Sequence, residues 1–505
     1  MWKLFKQEQP GWRAFTQPSG LFDRKNNEQT LHFGGIAGIN EGSVSACDNT
    51  GALEGRSDLY YQKIGGIAGT NKGNVSSCRN LTDAAINIGG NETGAFGAYD
   101  LELGGIFGAL ASTGSVSNVS NSAPVSIYRI ANNAATIVKV GGVCGLCEAE
   151  IDGSTDGGAI TNSGKIYEYN NNSKNRTEGF FHGGIVGLAK ASVSHVTNNG
   201  MVHFNQARND KFPIAVDLGG IIGKLEAVAT ADLLNCENQG EVSYQIKQAG
   251  SYGNNIGGIL GSTSSNVSIG YCTNSGYIHT SGNTTSTDHA FYLGGIVGFL
   301  SGHSSISHCD NDGSTMLDQT NNTDDDVSKI LADGGIVGVV KGTADERISI
   351  SDCNWIYPTV KVVGSRRGTC GGVAAYAEYT DIARCDVNVR YNKYNHVTGG
   401  VVGWAVQSSV SSCRFLGSII TATQGYVSGG VVAKLTEGSV INGCCNYCTD
   451  ITTPQAPTVR GEIAATSEVG TVIKNCHYTG TIALCSDGNF STPEGEENDT
   501  NLPAL

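Results

Sequence analysis

Gly294-Gly295-Ile296-Val297-Gly298 is the stretch that decides how the rest of this chain is read. The pattern returns from one end to the other. Its first glycine falls at Gly34, Gly65, Gly104, Gly141, Gly183, Gly219, Gly257, Gly294, Gly334, Gly371, Gly399, Gly429 and, with the second glycine lost, Gly461. Those thirteen starts lie 28 to 42 residues apart. A fixed unit recurring at that spacing is the mark of a repeat architecture. Length alone, 505 residues, would suggest about three ordinary domains. A solenoid overrides that expectation, because it grows in one dimension and needs no central core.

Outward from the glycines, the unit reads as short strands joined by polar turns. Gly65-Gly66-Ile67-Ala68-Gly69 is followed by a turn at Thr70-Asn71-Lys72-Gly73 and then by Asn74-Val75-Ser76-Ser77-Cys78-Arg79-Asn80. Val75 to Cys78 alternates apolar with polar, the period of a half-buried strand. Gly, Asn, Asp and Ser fill the joints, where positive φ or side-chain-to-backbone bonds are needed. Helical periodicity is missing within the repeats. The expected fold is therefore all-β: a parallel β-solenoid of about thirteen rungs, taken as right-handed by analogy with most parallel β-helices. Stacking is obligatory, since one rung can neither satisfy its strand hydrogen bonds nor bury its apolar side.

Stacking places like above like. The third residue of the unit is Ile or Val throughout, including Ile36, Ile67, Ile185, Ile259, Ile296 and Ile336, which predicts a core column of β-branched side chains. The fourth is apolar as well, from Ala37 and Phe107 to Val432 and Ala464. Neighbours on a flat strand face opposite sides, and an exposed apolar stripe that long would mark an interface; burial of both columns is expected, with the chain bent there or its outer face covered. A third column is formed by ten of the 16 cysteines: Cys47, Cys78, Cys236, Cys272, Cys309, Cys353, Cys385, Cys413, Cys444 and Cys476. Val119 and Val196 occupy the same place in two other repeats, so the site reads as interior and apolar. Parallel rungs hold β-carbons near 4.8 Å, while a disulfide wants about 3.8 Å. Free, buried thiols are expected.

The flanks divide the chain into three: 1–33, an N-terminal cap or the remnant of a preceding domain; 34–485, the solenoid; and 486–505, an acidic tail expected to be disordered. Charged residues make up 15% and the net charge is −14. That balance argues against nucleic acid or an anionic membrane surface as partner. No apolar run approaches the ~18 residues of a membrane span, and no signal peptide is visible at Met1–Pro10.

Candidate chemistry is sparse. Cys144/Cys147 and Cys445/Cys448 have the C-x-x-C spacing of zinc or redox sites, but no further ligands or helix start accompany them. Asp324-Asp325-Asp326 is a charged turn. His182, His195, His203, His303 and His308 lack a recognisable nucleophile. Asn118, Asn171, Asn175, Asn266 and Asn283 open glycosylation sequons of the kind that composition alone produces. No catalytic residue, metal site or cofactor is assigned. Aromatics are more suggestive: Phe299, Tyr376 and Trp404 follow the five-residue unit in three repeats, and Trp355 and Tyr357 lie in the same third of the chain, with Tyr379, Tyr391 and Tyr394. Stacked rungs would gather several of them into a platform for sugar rings.

The unit Gly-Gly-Ile-Val-Gly, with its Ser-Val-Ser-x-Cys strand and Asn-x-Gly turn, resembles the GLUG repeat of bacterial surface proteins. Gly34 to Gly51, Gly183 to Gly200 and Gly257 to Gly276 carry the resemblance best. It implies a stalk or binding surface, extracellular or on the cell, that meets a host or microbial glycan or a surface protein. A carbohydrate-active β-helix (lyase or hydrolase) and a phage or toxin fibre segment are the other two readings.

Overall fold

The computed structural model describes residues 30–55, 61–88, 100–128, 137–154, 158–171, 179–206, 215–245, 253–281, 290–317, 331–362, 368–392, 397–420, 427–448, 451–452, 459–480 and 482–505. The proposed cap at 1–33 therefore falls almost wholly outside the described residues, as does Asp324-Asp325-Asp326. The chain is an all-β parallel solenoid of thirteen coils. Two compact units divide it, at Glu226/Ala227 apart from a short exchange at 238–242. Six coils have their glycine strand in the first unit, from Thr30–Gly34 to Ala215–Gly219. Seven have it in the second, from Asn254–Gly257 to Val459–Gly461.

One coil shows the path. Tyr61–Gly65 leads into the glycine corner, Ala68–Asn71 leaves it, Asn74–Asn80 carries the cysteine, and Ile86–Ile88 closes the turn. Each strand pairs in parallel with its counterparts above and below: Gly65 lies against Gly34 and Gly104, Val75 against Val44 and Val116, and Cys78 against Val119. The same register runs through the second unit, where Gly294 sits between Gly257 and Gly334.

Both apolar columns of the glycine unit are buried, and the bend is the reason. Ile67, Ile106 and their ten successors have no exposed surface, nor have the fourth residues from Ala68 to Ala464. Only Ile36 and Ala37, in the first coil, are partly open. At the corner one carbonyl accepts two amides: Ile36 N and Ala37 N both donate to Ile67 O at 3.0 Å. The chain folds around that carbonyl, so consecutive residues can both reach the interior. The second glycine lets the next coil approach this closely. A methyl group on Gly295 would lie 2.0 Å from the Gly335 carbonyl oxygen and 2.1 Å from Asn311 Nδ2.

A second corner precedes the cysteine column. Ala46, Ser77, Asn118, His195, Asn235, Tyr271, His308, Asp352, Arg384, Ser412 and Asn475 all have φ between 49° and 55°. Each stands immediately before a column residue, and Gly443 does the same before Cys444 with φ 64°. The left-handed kink turns the next side chain inward. In the fourth coil the column place belongs to Ile160, which pairs with Val196. All sixteen cysteines are free, and all but Cys47 are buried.

The thiol has a task that valine cannot perform. Cys309 Sγ donates to Ser307 O at 3.4 Å, Cys353 to Ser351 O at 3.2 Å and Cys413 to Ser411 O at 3.3 Å. Cys47, Cys78, Cys236, Cys272, Cys385, Cys444 and Cys476 repeat the bond to the carbonyl two residues back. That carbonyl also accepts the corner amide of the coil before, as His308 N does to Ser351 O at 3.2 Å. The column is thus apolar in volume and polar in one direction.

A ladder of buried asparagines runs beside it. In the first unit Asn49, Asn80, Asn121, Asn162 and Asn198 are linked, each Nδ2 donating to the next Oδ1 at 2.8–2.9 Å. In the second unit Asn238 donates to Asn274 and Asn274 to Asn311 at the same distances. The ladder then gives way to Trp355, Val387 and Phe415, which hold the same register position before Asn446. Asn446 donates to the Glu462 carboxylate at 3.1 Å. Burial pushes the Glu462 carboxyl upward from its usual range.

Residues 486–505, expected to be disordered, lie against the last coil. Phe490–Ser491 pairs with Thr471 and Val472, Asp499 bridges to His477, and Tyr447 Oη donates to Pro503 O at 2.8 Å. Side chains add to the attachment: the Asp487 carboxylate accepts from Ser467 N at 2.6 Å and Ser467 Oγ at 2.8 Å, and Glu496 pairs with Lys474 at 2.8 Å.

Candidate functional site: an aromatic flank of the second unit

The residue after each Gly-Gly-x-x-Gly unit falls in register with its counterparts on neighbouring coils. Phe299 pairs with Val339, Val339 with Tyr376, Tyr376 with Trp404, and Trp404 with Lys434. Tyr292 and Ala332, from the strands that precede the glycines, pack against this file. Three of the expected platform residues, Phe299, Tyr376 and Trp404, are thus gathered on one flank. Tyr292 joins them, a residue that the reading of the fixed unit passed over because it lies in the variable segment before Gly294.

The rings are packed together. Tyr292 stacks on Phe299 with centroids 5.8 Å apart, and Trp404 meets Tyr376 edge-on at 5.5 Å. Lysines sit over two faces: Lys434 Nζ is 4.8 Å from the Trp404 ring centre, and Lys341 Nζ is 5.7 Å from that of Tyr376. Such contacts are electrostatically favourable. Tyr376 is only 4% exposed and Tyr292 7%, so their edges are covered, while Phe299 and Trp404 are half-buried and offer the open surface. Tyr376 Oη donates to Glu378 at 3.2 Å, and burial pushes the phenol's pKa up. Trp404 Nε1 has no hydrogen-bond partner among the described residues.

Trp355 and Tyr357 belong elsewhere. Trp355 is 1% exposed, fills the asparagine place of its coil and donates from Nε1 to Gly313 O at 3.1 Å. Its ring meets Tyr391 at 6.2 Å, and Tyr391 meets Phe415 at 6.1 Å, an interior stack. The sequence placed Trp355 with the flank because its ladder role shows only once the buried asparagines are seen. Tyr357 is half-buried on the same strand, outside the aromatic cluster. Tyr394 lies outside the described residues.

In the first unit the corresponding flank is smaller and partly ionic. Ala109, Leu146, Phe181 and Leu188 form an apolar cluster, with Lys224 Nζ 4.8 Å from the Phe181 ring centre. Beside it Lys139 bonds Asp100 at 2.8 Å and Glu102 at 3.1 Å, and Lys63 bonds Glu102 at 2.7 Å.

The titratable groups of the sequence reading are dispersed. His182 is fully buried 3.2 Å from Glu168, His195 bonds Asp152 at 2.9 Å, and His308 stacks on Tyr271. Cys144 and Cys147 are both buried rather than split between inner and outer faces, each thiol donating to the carbonyl two residues on. Burial raises the Cys144 thiol's pKa well above its ordinary value. Among the described residues, no three His, Cys, Asp or Glu side chains group as a metal site. No family model, curated protein or solved structure matches this chain.

Proposed function

We propose that the protein is a non-enzymatic β-solenoid, secreted or displayed on a cell surface, whose aromatic flank binds a glycan or a surface protein. The observation that carries the reading is the in-register file Phe299–Val339–Tyr376–Trp404, half-open and bordered by Lys341 and Lys434. Aromatic faces suit the apolar faces of sugar rings. Ammonium groups beside them favour acidic sugars over neutral ones. The likeness of the repeat to the GLUG unit of bacterial surface proteins supports the location and the adhesive role.

A glycan array that includes uronate and sulfated polymers tests this reading. Wild-type protein is expected to bind acidic glycans. Trp404→Ala should weaken that binding about tenfold, the equivalent of about 1.4 kcal/mol. Phe299→Ala should act in the same direction. A blank array, or binding indifferent to both substitutions, would refute the aromatic flank as the site. Depolymerisation of a bound polymer would replace the reading with the carbohydrate-active enzyme.

A further inference from the structure

One interior column changes character along the second unit. The residue just before the first glycine is Ile256 and then Leu293, both fully buried. From the ninth coil it becomes Asp333, Cys370, Thr398 and Ser428, paired one above the next, with Arg460 in register beyond them. The first four are at most 2% exposed. Tyr391 is 2% exposed, and its hydroxyl lies within the electrostatic reach of Asp333 and Cys370. An aliphatic column has turned into a polar seam, with a carboxylate at one end and a guanidinium at the other.

Three hydroxyls of this region lack a protein partner among the described residues: Thr398 Oγ1, Ser428 Oγ and Tyr391 Oη. Native interiors seldom leave such groups unsatisfied, and ordered water is the usual partner. Thr398 and Ser428 are also smaller than the Ile256 and Leu293 that hold the column earlier in the unit. Neighbouring coils lie about 4.8 Å apart. Stacked hydroxyls at that separation are too distant to bond each other directly, and each is within reach of a water set between them.

We propose that the interior of coils nine to twelve binds ordered water at the Thr398, Ser428 and Tyr391 hydroxyls. The waters link the coils through hydroxyls where earlier coils of the same unit use the amides of Asn238, Asn274 and Asn311. Polar cohesion therefore continues beyond Asn311 by solvent carried inside the solenoid. A high-resolution crystal structure of the full chain should show waters 2.7–3.2 Å from Thr398 Oγ1 and Ser428 Oγ. Thr398→Val, which keeps the shape and removes the hydroxyl, should lower the thermal midpoint by about 2–4 °C. Ser428→Ala should do likewise. A dry seam in the density, or a midpoint raised by Thr398→Val, would overturn the proposal, since deleting an unsatisfied buried hydroxyl stabilises a protein.

Discussion

Asn274 sits at the centre of the second unit's ladder. It accepts from Asn238 at 2.8 Å, donates to Asn311 at 2.9 Å and has no exposed surface. Replacing it with Ala would deprive both neighbours of a partner inside a dry interior, so Asn274→Ala should cost about 2–4 kcal/mol in denaturant unfolding. The Cys-x-Asn pattern was present in the sequence, but a polar residue at a strand end reads as a turn until its neighbours above and below are known. Exposed ion pairs behave differently. The Arg384 guanidinium beside Asp352, bonded at 2.7 Å, holds that carboxyl down at about 2. A folded pKa below the ordinary value of about 3.9 contributes stability above about pH 4 that is lost as the pH falls toward 2. Wild-type protein should therefore lose more stability between those pH values than Arg384→Gln. The difference should be small, because the pair is solvent-screened, and an acid titration of unfolding would read it.

The corner before the cysteine column is the element most costly to build. Eleven of its residues are not glycine yet hold φ near 50°, a conformation that costs L-residues roughly 1–2 kcal/mol each. Interactions across the corner offset this. The corner amide donates to the next coil, and the following thiol donates to the same kind of carbonyl. Gly443 gives a clean test, since its φ is 64° and the nearest atom to an added methyl would be Ser412 Oγ at 3.8 Å. Gly443→Val should cost at least about 1–2 kcal/mol from backbone strain, and Ser412→Gly should be neutral or stabilising. Equal unfolding midpoints for wild type and Gly443→Val would contradict this account. Here the sequence was right about burial but incomplete, for a physical reason. Exchange between Cys and Val reported the volume of the column and was silent about the carbonyl that the thiol serves.

Parallel coils leave open strand edges at the end of a solenoid, and such edges are templates for association. Residues 486–505 close the last coil through the pairing of Phe490 and Ser491 and the bridge from Asp499 to His477. Deleting them should expose the Thr471–Lys474 edge and produce concentration-dependent oligomers by light scattering, which the full chain should not form to the same extent. A deletion variant with unchanged oligomeric state would count against the closing role. The tail was unreadable because its composition is that of a disordered segment, while the partners that hold it, such as Ser467 for Asp487 and Lys474 for Glu496, become visible only once the last coil is built. By itself the sequence determined the all-β class, the parallel stacking, the number of coils and the isoleucine and cysteine columns. Each coil repeats one environment, so register writes itself into the period. Only the tertiary structure decided that a bend, and not a cover, buries the fourth residues, that asparagines form an interior ladder, that Trp355 fills the core and that Tyr292 joins Phe299, Tyr376 and Trp404. These outcomes depend on the angle of a bend and on residues brought together from different coils, which a repeat period does not encode.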